Sequence, residues 1–596
     1  MDKVAVLDFG GQYAHLIANR VRRLGVYTEI QHSNVEASAL KGYTGIILSG
    51  GPSSVYKDGA PTIDAGIFEL GIPILGICYG HQIMNQSLGG KVQGSDVHEF
   101  GVADLEVTAS TNPLLKDLPT LSPMWMSHGD KVAIVAPGFQ SIAITEDCDT
   151  AAVANMDKNF YGIQFHPEVT HSKFGSKLME NFLDICGCAK DWSMKSYFKD
   201  IEARIIAQTP THKKIFLLVS GGVDSTVAFV MLNKIFGKDR VFGLHIDTGM
   251  MRMNESAEVV KFLHKADMEN LKVVDDSDLF LDALKGKIEP EDKRHTIGET
   301  FLRSKEIESE NLGFDPKEWI LAQGTIYPDT IESGGTDNAD TIKTHHNRVQ
   351  GILDLMAEGL ILEPLAELYK DEVRELGEEL GIPRELVWRH PFPGPGLGVR
   401  LLCSNGEPVG KSNSEIPGLE AYLGEQNWQG LALPIQSVGV QGDARSYAQP
   451  FVLQGKHSWK ECEKASTTIT NRFRDLNRVV LEIGTLTGEY QVIPHYCERE
   501  RFDLLRKMDS LCTDFLYEHD LYDAVWQMPV VLLPLTVQDK PVLVLRPVNS
   551  SEAMTANFCE IDPNLLEQLW QTLKEAGAGG VLYDITHKPP GTIEWE

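Results

Sequence analysis

The sequence predicts an α/β protein of several domains, and three observations predict it. The chain has 596 residues, enough for roughly four domains. Strand-length apolar runs alternate with helical patterns from the first residues to about 388. Two of those runs end in glycine-bearing turns that lead straight into helices, at GICYG (76–80) and SGGVDS (220–225).

Composition narrows the class. Hydrophobic residues make up 42% and charged residues 23%, the balance of an ordinary globular protein. Lys and Arg total 55 against 84 Asp and Glu, a formal charge of −29, which speaks against a nucleic-acid surface because phosphate backbones require a basic footprint. The nine cysteines are scattered, without paired metal-ligand spacing, as suits a reducing compartment. No apolar run is long enough to span a membrane, and the N-terminus runs directly into a strand pattern, so a cytoplasmic location is expected.

In order along the chain, VAVLDFG (4–10), GIILSGG (45–51), PILGICYG (73–80) and NFYGIQFH (159–166) read as strands. Helical periodicity in FGSKLMENFLDIC closes a first domain, 1–190. A second α/β domain, 191–388, carries the strands KIFLLVS, RVFGLHIDTG and EWILAQGTIYP. HPFPGPGLGVR fits a hinge or substrate loop at 389–400. The remainder reads as α+β with an internal echo. ALPIQSV (432–438) resembles LLPLTVQ (532–538), and NRVVLE (477–482) resembles GGVLYD (579–584) at nearly the same offset. A duplicated unit is therefore expected, 401–500 and 501–596.

Cys78 sits at the first glycine turn. G-x-C-x-G after a strand is a nucleophile elbow, and a helix N-terminus favours the reactive thiolate. Such a nucleophile needs a base and an orienting acid, and QFHPEV offers His166 and Glu168 after another strand. SGGPSSV (49–55) offers backbone N–H groups for an oxyanion. Together with DFGGQY these residues resemble the class I glutamine amidotransferases. The resemblance implies that Cys78 attacks the glutamine amide, with His166 as base and Glu168 orienting it. It also implies oxyanion amides at Gly51 and Tyr79 and a glutamine contact at Gln82.

The second turn lacks the lysine of a Walker loop and carries an aspartate instead. SGGVDS resembles the PP-loop of the N-type ATP pyrophosphatases. That implies a cradle for the β- and γ-phosphates of ATP at Ser220, Gly221, Gly222, Val223, Ser225 and Thr226, with Asp224 holding Mg²⁺. Gly324 and Asp329, in AQGTIYPDTIES, are implied near the nucleotide.

HPFPGPGLGVR, KTHHNR (343–348), SVGVQGDARSY (437–447) and HKPPGTIEWE (587–596) resemble the glutamine-hydrolysing GMP synthetase family. The resemblance implies amination of xanthosine monophosphate (XMP) through an adenylated intermediate. It places Arg294, Asp443, Gln527, Lys588 and Glu594 at XMP and Lys343, His345 and His346 in a lid. The duplicated C-terminal part would let one chain form its own pseudo-dimer, so a monomer is expected, with a homodimer left open. Competing readings are another glutamine-dependent adenylating ligase such as NAD synthetase, a nucleic-acid thiolation enzyme, and a non-catalytic nucleotide-binding scaffold.

Overall fold

The computed structural model describes residues 2–332 and 361–596, apart from 12, 170, 312, 314–316, 442–443, 485–487 and 551–555. Lys343, His345, His346 and Asp443 therefore lie outside the described residues. The chain forms two compact units. The first comprises 1–204, 326–345 and 366–379; the second comprises 205–325, 346–365 and 380–596.

The first unit is built on a nine-stranded sheet. Its strands are β1 (Lys3–Asp8), β2 (Tyr27–His32), β3 (Gly45–Leu48), β4 (Ile74–Ile77), β5 (Lys91–Val107), β6 (Leu121–Ile134), β7 (Gln140–Ile144), β8 (Ala152–Asn155) and β9 (Phe160–Ile163). The order is β2-β1-β3-β4-β9-β8-β7-β5-β6, parallel through β9 and antiparallel beyond it. Side chains alternate between two cores. Val4 and Val6 face one and Ala5, Leu7 and Phe9 the other, as the two-residue period of a strand requires. Helices α1 (Ala14–Arg23), α2 (Tyr79–Ser87) and α3 (Gly175–Ile185) belong to this unit, and α4 (Met194–Gln208) follows. Segment 366–379 packs on α1. A buried Arg22–Glu372 ion pair at 3.0 Å and a hydrogen bond of 2.9 Å from the Tyr369 hydroxyl to His15 O hold it there.

Among its described residues the second unit has two larger sheets and two two-stranded ones. β10 (Lys214–Leu218), β11 (Val241–Asp247), β12 (Leu271–Asp275), β13 (Trp319–Ala322) and β14 (Ile361–Leu362) form a parallel sheet, ordered β12-β11-β10-β13-β14. From β10 the chain enters α5 (Val223–Phe236). The remaining strands are β15 (Ser404–Asn405), β16 (Gln429–Ala432), β17 (Ser437–Gln441), β18 (Ala444–Gln454), β19 (Leu476–Ile483), β20 (Gln491–Val492), β21 (Pro494–His495), β22 (Val530–Val537), β23 (Lys540–Leu545), β24 (Val548–Asn549), β25 (Asn557–Phe558) and β26 (Gly580–Asp584). The large C-terminal sheet runs β16-β18-β19-β26-β23-β22-β20, and the two-stranded sheets are β15 with β21 and β24 with β25.

The topology of this sheet repeats. β16 and β18 are antiparallel; the helix Trp459–Arg472 then crosses back to β19, parallel to β18. β22 and β23 are antiparallel; the helix Pro563–Glu575 then crosses to β26, parallel to β23. The two halves meet where β19 and β26 pair antiparallel, Val480 opposite Asp584 and Ile483 opposite Val581. One continuous core joins Phe216, Leu244 and Met250 to Leu453, Val479, Leu543 and Tyr583. The opposite face, with Val452, Val480, Val544 and Leu582, is sealed by Trp595, one residue from the end of the sequence.

Candidate active site

Parallel pairing of β4 with β9 explains the first constellation. Gly76 lies opposite Gly162 and Ile77 opposite Ile163, so the residues following each strand emerge at the same sheet edge. On one side this is Cys78, whose N–H donates to Ile163 O at 2.8 Å; on the other it is the segment leading to His166. Cys78 has φ 51° and ψ −105°, a left-handed backbone that L-residues adopt only where the surroundings impose it. The flanking glycines impose it. A Cβ on Gly76 would lie 2.5 Å from Gly80 O, and one on Gly80 would lie 2.2 Å from Leu48 O. Any other residue would push the turn open and move the thiol away from the helix N-terminus.

His166 Nδ1 and Glu168 Oε1 are 2.7 Å apart, and both residues are buried. Burial opposes a charge on the imidazole, but the Glu168 carboxylate and the Cys78 sulfur outweigh it and hold the His166 pKa well above its usual 6.5. The second Glu168 oxygen has no hydrogen-bond partner among the described residues, which leaves the carboxylate committed to the histidine. Gly50 adjoins both the His166 and the Cys78 side chains. A Cβ there would lie 3.1 Å from His166 Cε1 and 3.7 Å from Cys78 Cβ.

Gly51 and Tyr79 are neighbours, since a Cβ on Gly51 would meet Tyr79 Cγ at 3.2 Å. As the first residue of α2, Tyr79 has no intrahelical acceptor for its N–H. Gln82 is buried, its amide donating to Asp130 O at 2.9 Å and to Gln164 Oε1 at 3.3 Å.

Sequence reasoning did not single out Gln164, whose amide lies 3.6 Å from Cys78 Sγ, or Ser127, whose carbonyl lies 3.8 Å from it. Behind Ser127, His128 bonds Glu99 at 2.9 Å, and Glu99 accepts from Thr145 at 2.8 Å. Glu99, His128 and Cys148 bring their polar atoms within 4.8 Å of one another. These contacts cross between strands far apart in sequence, so no local motif announces them.

In the second unit, β10 delivers Val219–Gly222 to the N-terminus of α5, with Gly222 as N-cap. Gly221 has φ +82° and its α-carbon faces His245, a Cβ there lying 3.3 Å from His245 Cε1. The hydroxyls are ordered within the loop. Ser220 and Ser225 Oγ are 3.0 Å apart, and Thr226 donates to Gly222 O at 2.9 Å. Val223 and Asp224 open the helix. Gly324 rests on that first turn, a Cβ there lying 3.0 Å from Ser225 Cα. Asp329 belongs to the first unit, where it accepts from Ile326 N–H at 3.0 Å.

The C-terminal tail is held by buried charge. Arg400, fully buried, grips Glu594 through two hydrogen bonds of 3.0 and 2.9 Å, and the Gln527 amide lies 3.5 Å from the same carboxylate. Arg294 pairs with Glu291 at 3.0 Å and with the terminal carbonyl oxygen of Glu596. Lys588 pairs through its backbone with Ala556. Beneath the tail, Arg478 and Arg546 both contact Asp584, at 2.8 and 3.1 Å, so two buried cations face one anion. Burial, partly offset by Asp584, pushes the Arg478 guanidinium down to about 10. Gly591 touches both arginines, a Cβ there lying 3.1 Å from Arg478 Nη1 and 3.3 Å from Arg546 Nη2.

Three family descriptions match: glutamine amidotransferase class-I over residues 5–186, NAD synthase over 197–304 and GMP synthase C terminal domain over 514–595. A probable GMP synthase (glutamine-hydrolyzing) of Leptospira interrogans is 46% identical, covering 100% of this chain and 99% of its own. The GMP synthase (glutamine-hydrolyzing) of Bacillus pumilus is 44% identical over 81% of this chain and 97% of its own. That of Vibrio vulnificus is 42% identical over 81% and 96%. An elbow cysteine facing a His–Glu pair, a lysine-free phosphate loop and this similarity along the whole length agree: the chain belongs to the glutamine-hydrolysing GMP synthase family.

Proposed function

We propose that this chain makes GMP from XMP, ATP, glutamine and water, with AMP, pyrophosphate and glutamate as the other products. The observation that carries the reading is the cysteine elbow facing the 2.7 Å His166–Glu168 pair, on a chain that also holds a phosphate loop without a lysine. A glutaminase alone would have no use for that loop.

At the first site the Cys78 thiolate attacks the glutamine carbonyl carbon. The developing oxyanion is received by the N–H groups of Gly51 and Tyr79. His166, held as imidazolium by Glu168, donates its proton to the departing nitrogen, and ammonia leaves. Water, deprotonated by His166, then cleaves the thioester to glutamate and restores the thiol.

At the second site the SGGVDS loop binds the two terminal phosphates of ATP, so the purine O2 of XMP attacks the α-phosphorus and pyrophosphate departs. Ammonia adds at C2 and AMP leaves. The donor set at the head of α5 is all oxygen, Ser220, Ser225 and Asp224, which fits a hard cation. Asp224 would hold Mg²⁺, whose chemistry is to neutralise charge on the leaving pyrophosphate. Arg294, Gln527, Lys588 and Glu594 are assigned to XMP. The surplus positive charge of Arg478 and Arg546 beneath residue 591 supports an anion-binding role for this tail.

The test is GMP and AMP formation from Mg²⁺, ATP and XMP with glutamine, and in parallel with ammonium. Equal amounts of GMP and AMP from both sources support the reading. No GMP from ammonium, while ATP still binds, would mean that the acceptor is not XMP.

A further inference from the structure

Two cysteines that the reaction does not use lie side by side in the second unit. Cys403 Sγ and Cys497 Sγ are 3.7 Å apart. Their backbones are held together by the short ladder of β15 and β21, Ser404 opposite His495 and Asn405 opposite Pro494. A hydrogen bond of 2.6 Å between His495 Nδ1 and Leu402 O closes the ladder next to the cysteines. The sulfurs therefore meet as diagonal cross-strand neighbours, and a bond between them requires closing by about 1.7 Å, to the ~2.0 Å of a disulfide.

Cys497 is itself buried but borders a cavity of about 330 Å³ with Leu281, Lys285, Tyr496 and Arg499, and Cys403 is partly exposed. A hydrogen bond from Cys403 holds the Cys497 pKa below the usual thiol range against the effect of burial, and Lys293 adds to the lowering. Lys293 is fully buried, donates to Leu401 O at 2.7 Å and pairs with the Glu596 carboxylate. The dithiol thus borders the anchor of the last residue, two positions beyond Glu594.

We propose that Cys403 and Cys497 form a peroxide-oxidisable dithiol whose disulfide loosens the C-terminal tail and slows the acceptor half-reaction. The Cys497 thiolate attacks one peroxide oxygen; the O–O bond breaks, and the departing hydroxide takes a proton to become water. The Cys403 sulfur then attacks the resulting sulfenic acid, its proton and the hydroxyl leaving as a second water. Two electrons pass from the sulfurs to the peroxide, and a thiol reductant reverses the reaction. Closing the sulfurs shifts Cys403 and the neighbouring Leu401 carbonyl that Lys293 holds, and so disturbs the hold on Glu596. The effect on XMP rests on the proposed function; formation of the bond does not.

The experiment treats reduced full-length protein with hydrogen peroxide, maps the disulfides by mass spectrometry and assays ammonia-driven GMP formation, which does not require Cys78. The expected result is a Cys403–Cys497 peptide and a fall of roughly tenfold in kcat/KM for XMP, restored by dithiothreitol. Cys403→Ser and Cys497→Ser should keep basal activity and resist the fall. If either variant fails to fold, peptide mapping and reversal on the wild-type chain still decide. Absence of the Cys403–Cys497 peptide once Cys78 is fully oxidised overturns the proposal, as does a disulfide that leaves the ammonia-driven rate unchanged. Failure of the reduced protein to aminate XMP at all would instead refute the functional reading, while the mapping would still test the dithiol.

Discussion

Glu168→Gln isolates what the buried carboxylate does for the base. The substitution keeps shape and removes charge at a contact of 2.7 Å. Unit charges about 4 Å apart at an effective dielectric near 20 interact by about 4 kcal/mol. His166 is held well above 6.5 only because Glu168 and Cys78 outweigh its burial. Without the carboxylate, burial regains much of its effect and the imidazolium is lost at lower pH. A raised folded-state pKa keeps the imidazolium present until pH climbs through that value, so lowering it moves the alkaline limb of the glutamine-driven pH profile to lower pH. Loss of the orienting charge costs roughly 10²- to 10³-fold in glutamine-driven kcat/KM, somewhat less than the loss for a buried Asp→Asn in a serine triad. Ammonia-driven GMP formation should be unchanged within about twofold, since it bypasses this site. The assay is GMP formation from each nitrogen source across pH 6–9. An unmoved alkaline limb, or an equal fall with ammonium, would overturn this role for Glu168.

Three further outcomes are expected. Gly221→Ala forces an L-residue to φ +82°, at a cost of about 1–2 kcal/mol; ammonia-driven synthesis should show a raised KM for ATP, and glutamine hydrolysis measured without ATP should not change. Glu594→Ala leaves the buried Arg400 with only the longer Asp509 contact at 3.8 Å, a destabilisation of about 3 kcal/mol, read as a lower urea midpoint and a raised KM for XMP. His81 is buried and its pKa is lowered to about 3, so it stays neutral in the fold while the unfolded chain takes a proton below 6.5. Its contribution is complete above pH 6.5 and is lost as pH falls toward 3, by at most about 1.4 kcal/mol per unit. Urea midpoints of His81→Gln should therefore depend less on pH between 7.5 and 5 than those of the wild type.

Much of the candidate site was legible because its elements are local. An elbow cysteine must turn within five residues, so glycines at 76 and 80 are fixed by contacts of 2.5 and 2.2 Å with nearby backbone. The phosphate loop is likewise one strand end and one helix start, with a positive φ at Gly221 that its residue type advertises. Of the two C-terminal echoes in the sequence, NRVVLE and GGVLYD fall on the paired strands β19 and β26, whereas ALPIQSV lies mostly between β16 and β17 and its counterpart on β22.

What depends on sequence-distant partners was not legible. β2 and β5–β8 passed unrecognised as strands. Arg400 stood in a quoted motif without a role, because its partner Glu594 lies 194 residues away. Arg478 and Arg546 carry no local signal in the sequence; the fold buries both over Asp584, where β19 pairs antiparallel with β26. Gln164 and Ser127 reach Cys78 only through strand order. From the sequence alone came the cysteine elbow, the His–Glu segment and the lysine-free loop, since each needs only a turn and a few neighbours. The tertiary structure decided which charges are buried, which thiols touch and what anchors the tail. Burial and pairing arise only when strands far apart in the chain come to lie side by side.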